Sequence, residues 1–374
     1  MIYLDYSATT KAEGKVLRRF MAMNHKQFAN PNSKHLLGQD ANSSVVLATQ
    51  RILRSLSIQN STVVYTSGAT EANNLAIIGY ALANRERGNH LIVSPFEHSS
   101  VTACFGYLQK NGFVVDVLDS TPDGTVDLAN LETLIRGETI LVSIGAVHSE
   151  LGIVQPIEEI SRLLTQHPNV RFHSDMTQAI GKMPVSIDSI DLVAFSAHKF
   201  YGLKGIGALI VRKGIALEPI LHGGSSTTVF RSGTPALPLI DSLALSLELA
   251  MNSLDSHIGT VIRRRFELLK LCNEIKGLHV NSPSTAIPHI VNLSLPGWPA
   301  EQIQSYLASN GIFVSTQTAC QTDNSVSHAV LRLTGNQHYA ESSIRVSLSH
   351  KTTSPEIKRF VSVLKAGYLN AARG

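Results

Sequence analysis

Cysteine is scarce: Cys104, Cys272 and Cys320 are the only three in 374 residues, widely spaced and without a Cys-x-x-Cys pair. Neither a disulfide framework nor a zinc site is expected from that pattern, and a reducing compartment fits it. Long apolar runs are also missing, since no stretch reaches the roughly 18 residues that a membrane-spanning helix needs. The opening Met1-Ile2-Tyr3-Leu4-Asp5 lacks the basic-then-apolar order of a secretory leader, so a cytoplasmic protein is expected. Neither sign of charge dominates, with 32 Lys and Arg against 28 Asp and Glu. The densest basic run, Arg263-Arg264-Arg265, lies in a helical pattern with Ile262, Phe266, Leu268 and Leu269. A solvated helix face is expected there, and no nucleic-acid binding. Repeats and low-complexity tracts are absent. What remains, 43% hydrophobic and 16% charged, is ordinary globular composition, long enough for a large domain and a smaller one.

Short β-rich apolar runs alternate with helical patterns between residues 60 and 212, at 62–65, 90–94, 113–118, 140–144, 170–173, 192–195 and 208–211. Seven such runs predict an α/β domain with a mostly parallel seven-stranded sheet flanked by helices. Beyond residue 248 the pattern changes to a long helix over 243–269, with room for a break. Strands near 289–295 and 344–348 follow, then a closing helix from Pro355. The expected division is a large domain over 13–247 and a small α+β domain made of 1–12 and 248–374.

Ligands of such sheets gather beyond the carboxyl ends of the strands, which directs attention to three segments. In Tyr65-Thr66-Ser67-Gly68-Ala69-Thr70-Glu71 a glycine turn leads into a helix, a seat for a phosphate or simply a helix capped by Thr70. Phe172-His173-Ser174-Asp175-Met176-Thr177-Gln178 brings an acid to the mouth of the sheet. Ala194-Phe195-Ser196-Ala197-His198-Lys199 brings a lysine. Either could be a surface group. Together they match the needs of pyridoxal 5′-phosphate (PLP), in which a lysine forms a Schiff base and a carboxylate keeps the pyridine nitrogen protonated.

These segments belong to a longer series. It includes Tyr3-Leu4-Asp5-Tyr6-Ser7-Ala8-Thr9-Thr10, Asn30-Pro31-Asn32-Ser33-Lys34-His35, Glu97-His98, Arg231-Ser232-Gly233-Thr234 and Ser343-Ile344-Arg345. In order and spacing the series resembles the cysteine desulfurases, fold-type I PLP enzymes of the class V aminotransferase family, over nearly the whole chain. The resemblance implies that Lys199 carries the cofactor and moves the Cα proton, that Asp175 pairs with the pyridinium, and that His98 stacks on the ring. It implies further that Gln178 and Ser149 reach the phenolic oxygen, and that Ala69, Thr70, Ser196 and His198 hold the phosphate. Asn30 and Arg345 would contact the substrate L-cysteine. Thr234 would reach the phosphate of a neighbouring subunit, which implies a homodimer.

Cys320 stands in Thr318-Ala319-Cys320-Gln321-Thr322, within a polar stretch rich in Ser, Thr, Gln and Asn up to Ser327. A free surface cysteine reads the same way. The resemblance makes it the nucleophile that takes sulfur from cysteine as a persulfide, leaves alanine, and passes sulfur to an acceptor protein, for example for iron–sulfur cluster assembly. Cys104 and Cys272 fall in helical patterns and are expected to be packing residues.

The chain departs from the family in several places. His148-Ser149-Glu150 replaces Asn-Asn-Glu, His222-Gly223-Gly224-Ser225-Ser226-Thr227-Thr228-Val229-Phe230 alters a glycine-rich stretch, Gln317 replaces a glycine and Leu203 a proline. The sequence given ends at Gly374, without the long tail of housekeeping members. A divergent member is expected. Two alternatives stand beside a desulfurase: another class V PLP enzyme that does not use Cys320, such as an aminotransferase or selenocysteine lyase, and a weakly active paralogue acting as a binding partner.

Overall fold

A computed structural model describes residues 1–316 and 326–371 of the chain. Its twelve strands are β1 (Ile2–Tyr3), β2 (Ser61–Thr66), β3 (His90–Val93), β4 (Val114–Val117), β5 (Thr139–Ser143), β6 (Arg171–Asp175), β7 (Leu192–Ser196), β8 (Gly207–Arg212), β9 (His279–Val280), β10 (Ile290–Ser294), β11 (Ile312–Phe313) and β12 (Ser343–Ser347). β2 to β8 form one seven-stranded sheet in the order β2-β8-β7-β6-β5-β3-β4. β7, β6, β5, β3 and β4 pair in parallel, and β8 is antiparallel to both of its neighbours. Each strand starts and stops within two residues of the apolar run that predicted it.

Period-two alternation explains how the sheet is covered on both faces. Val63, Ile92, Val142, Phe172, Val193, Phe195 and Ile210 point to one core, shared with the helices Leu36–Ser55, Ile157–Leu164 and Leu237–Asn252. Val64, Leu91, Val93, Leu141, Leu192, Ala194 and Leu209 point to the other, which packs on the helical segment from Ala69 to Ala83 and on Ser99–Lys110. A third core joins β10 and β12 to the helices Leu254–Cys272, Ala300–Ser309 and Ser354–Ala371, and takes in Leu4 from the start of the chain. β1 pairs in parallel with β11, which carries Ser7 and Ala8 to the mouth of the large sheet.

The long C-terminal helix is broken. Leu237–Asn252 and Leu254–Cys272 meet at Ser253 with a bend of 65°. No single described helix is long and apolar enough to cross a membrane. Cys104 and Cys272 are buried, as their helical settings predict. The basic run departs from expectation, because Arg265 is buried and donates to the carbonyls of Ile287 and Ile290 at 3.2 and 2.5 Å. Its position faces inward, and the open carbonyls of the 283–290 segment supply partners that the linear sequence does not reveal.

Gly207 decides how β8 meets the turn after β2. A Cβ there would lie 2.6 Å from the Phe195 carbonyl oxygen and 2.7 Å from Gly68 Cα. Both neighbours are backbone, so Gly207→Ala is expected to lower stability by about 1–3 kcal/mol, read as a shifted urea midpoint. The same variant should weaken anion binding at the displaced Ser67-Gly68 turn.

Candidate active site

A cavity of about 460 Å³ opens beyond the carboxyl ends of β2, β5, β6 and β7. Parallel pairing of β6 with β7 sets Asp175 against Ala194, so the chain leaves the two strands side by side, with Asp175 ending one and Lys199 following the other. Lys199 Nζ donates to the carbonyls of Ser7 and Ala8 at 2.7 and 2.9 Å. The turn after it is tight. Tyr201 adopts a left-handed φ of 67°, costly for a side chain of its size, and donates its N–H to Thr10 Oγ1 at 2.8 Å.

Asp175 accepts from Thr177 N at 2.9 Å and from Asn73 Nδ2 at 2.7 Å. His98 lines the cavity as the residue before Ser99–Lys110, with Nδ1 held by the Ser100 hydroxyl and N–H at 2.8 and 3.1 Å. Burial pushes its pKa down, so the ring is neutral near pH 7. Gln178 donates to the Ser7 carbonyl at 3.0 Å and accepts from Lys182 at 2.5 Å. Burial drives the Lys182 amine well below its ordinary pKa.

The anion end of the cavity is the turn from Ser67 to Thr70. Glu71 folds back to accept from Ser67 N at 2.7 Å and pairs with Arg231 at 2.9 Å, which ties the turn to the segment carrying Thr234. Helix N–H groups at Ala69 and Thr70, with Ser196 and His198 across from them, make a phosphate-sized cradle. His198 donates or accepts at Thr9 Oγ1, 3.1 Å away, and burial followed by the charge of Lys199 pushes it down to about 4.

At the substrate end Arg345, 2% exposed, holds Asp5 at 2.8 Å and the Ser149 carbonyl at 3.0 Å, and its Nε has no protein partner. The buried hydroxyls of Ser149 and Thr177 are also without a partner. Three unspent polar groups on one cavity wall fit a polar ligand that supplies their hydrogen bonds. Burial raises the Glu97 carboxyl well above the ordinary carboxylate range, while Gly145 N donates to it at 2.6 Å. Three cationic side chains, Lys199, Lys204 and Arg345, line the cavity, which favours anionic ligands.

Ten of the residues singled out from sequence line this cavity: Ala69, Thr70, His98, Ser149, Asp175, Gln178, Ser196, His198, Lys199 and Arg345. Thr234 is exposed and lines a smaller neighbouring cavity with Ser67 and Arg231. Asn30 is exposed, its side chain accepting from Asn32 N at 2.9 Å, and stands outside the lining. Cys320 lies outside the described residues. Sequence reasoning gave no role to Ser7, Asn73, Ser100 and Lys182, although Ser7 stood in the Tyr3 to Thr10 segment and Asn73 lies three residues after Thr70 on one helix.

Comparison with known proteins agrees with this geometry. A family model described as aminotransferase class-V matches residues 2–360. A cysteine desulfurase IscS from Dictyoglomus turgidum is 33% identical over 97% of this chain and 93% of its own. Among solved structures, a NifS-like protein superposes with a TM-score of 0.93 at 30% identity, covering 99% of both chains. A structure titled SspA in complex with cysteine superposes at 0.82 with 31% identity, covering 94% of this chain and all of that one. A family match over residues 2–360, with relatives alike over 97% of the chain, places the chain in the class-V aminotransferase family, with the IscS- and NifS-type cysteine desulfurases.

Proposed function

We propose that the chain binds PLP at Lys199 and removes sulfur from L-cysteine, with Cys320 as the sulfur acceptor. The observation that carries the reading is the joint placement of Lys199, Asp175 and the Ser67–Thr70 anion cradle on one cavity. When bound, PLP supplies an electron sink for the pair released at Cα. The Asp175 carboxylate, ringed by donors from Thr177 and Asn73, would pair with the ring nitrogen. Gln178, its carbonyl end occupied by Lys182, can offer only N–H to the phenolic oxygen, and the free Ser149 hydroxyl offers a second donor. Thr70, Ser196 and His198 hold the phosphate, and Arg345 binds the substrate carboxylate. Lys199 Nζ moves the proton from Cα.

The Cys320 thiolate then attacks the substrate sulfur. An S–S bond forms as the Cβ–S bond breaks, the electron pair stays with the carbon skeleton, and proton delivery yields alanine. A second copy completes each site through Thr234. Exposed Phe28, Leu36, Leu37 and Leu47, at 76, 77, 54 and 57% exposure, support an interface on the helix Leu36–Ser55 and the segment before it. The division at residues 13 and 247 separates the domain that holds the cofactor from the one that carries Arg345 and the Cys320 segment. We assign the enzyme to the cytoplasm and the persulfide to a separate acceptor protein.

Loading purified chain with PLP should give a visible absorbance band and a higher melting temperature. Borohydride should bleach the band and leave the label on the peptide containing Lys199. A colourless protein, or a label on another lysine, overturns the proposal.

A further inference from the structure

From the buried interior a set of hydrogen bonds runs out to the cavity-lining residues Asp175, Ser100 and His98. Ser143 Oγ lies 2.8 Å from His173 Nδ1, and His173 Nε2 lies 3.2 Å from Asn73 Oδ1. Asn73 Nδ2 reaches both Asp175 Oδ2 at 2.7 Å and Ser100 Oγ at 2.9 Å, and Ser100 Oγ reaches His98 Nδ1 at 2.8 Å. Asn73, His173 and Ser143 are fully buried, so water cannot substitute for a wrongly directed bond.

The direction of every bond follows from Asp175. An ionised carboxylate only accepts, so the Asn73 atom beside it is the amide nitrogen and the Asn73 oxygen faces His173. His173 must therefore carry its proton on Nε2. Burial pushes this ring down to about 4, which leaves it one proton near pH 7, so Nδ1 accepts from Ser143. On the other branch Ser100 Oγ receives an Asn73 N–H and passes its own proton to His98 Nδ1. The Ser100 backbone N–H, 3.1 Å from the same nitrogen, adds a longer donor in the same sense. Reversing the chain would set an amide oxygen against the Asp175 carboxylate.

We propose that Asn73 is a positioning residue that couples the Asp175 charge to the tautomer of His98, holding that imidazole as Nε2–H. His98 then faces the reacting atoms as a proton donor and not as a base. The assignment rests on the functional reading above only for its use in catalysis, because the bond directions are a property of the protein alone. It divides the proton work: Lys199 is the group that accepts a proton, and His98 is the group able to give one when the carbon skeleton is converted to alanine.

The test is long-range proton–nitrogen correlation on full-length chain labelled with ¹⁵N-histidine, with and without PLP, His98 being identified by its absence in His98→Gln. Wild type should show His98 solely as Nε2–H. Asn73→Ala should shift the tautomer ratio about tenfold toward Nδ1–H, a change worth ~1.4 kcal/mol. Ser100→Ala, which keeps the Asn73–Asp175 bond, should shift it in the same sense, and Ser100→Thr should restore it. An Nδ1–H tautomer in wild type, or a ratio unmoved in Asn73→Ala and Ser100→Ala alike, overturns the inference. The wild-type spectrum decides even if Asn73→Ala fails to fold. Failure of PLP to bind would instead overturn the functional reading and leave the tautomer measurement standing.

Discussion

Lys199→Ala is expected to lower alanine formation from L-cysteine by about 10⁴-fold or more, since it removes both the covalent cofactor linkage and the proton-transfer base. The loss should be chemical and not structural. In the folded protein Nζ serves the carbonyls of Ser7 and Ala8, and Ser7 keeps its bond from Gln178. Losing two such bonds costs about 1 kcal/mol each, so the variant should stay folded, with a melting temperature a few degrees below wild type. Asp175 and the Ser67–Thr70 turn remain, so PLP should still bind, but noncovalently and without trapping by borohydride. Alanine formation within tenfold of wild type would remove Lys199 from the mechanism.

Cys320→Ser separates sulfur transfer from cofactor chemistry. A serine hydroxyl is not ionised near neutral pH and cannot take a sulfur atom as a stable persulfide, whereas a thiolate can. Alanine and sulfide production should fall by about 10³-fold or more, the scale on which loss of a nucleophile acts. Absorbance and PLP affinity should match wild type, because the proposed cofactor contacts come from Lys199, Asp175 and the Ser67–Thr70 turn. Mass spectrometry of wild type after brief exposure to cysteine should find one added sulfur atom on the peptide containing Cys320. Retained turnover in Cys320→Ser would favour the reading as an aminotransferase or a selenocysteine lyase, supported by Ser149 in place of the family asparagine. Formation of pyridoxamine phosphate would single out the aminotransferase.

The two variants also bear on the idea of a weakly active binding partner. A chain without catalysis has no physical need to bury the Glu97 carboxyl and the Lys182 amine against strong shifts of their pKa, or to leave the Arg345 Nε without a protein partner. Each of these costs folding free energy unless a ligand or a reaction uses it.

By itself the sequence determined the seven strands of the large sheet, because period-two apolar runs bounded by turns leave little choice of element or of buried face. It also determined that Lys199, Asp175 and Thr70 stand at strand ends, since their positions follow from where those runs stop. Only the tertiary structure decided which side chains meet. Ser7 comes to Lys199 because β1 pairs with β11, across more than 300 residues of chain. Arg265 is buried because carbonyls 18 to 25 residues away turn toward it. The bond directions from Ser143 to His98 depend on five side chains from four separate segments, fixed by one carboxylate at their junction. Local patterns report a residue's own periodicity and turn chemistry, whereas hydrogen-bond direction and charge are settled by distant partners in a buried, low-dielectric place.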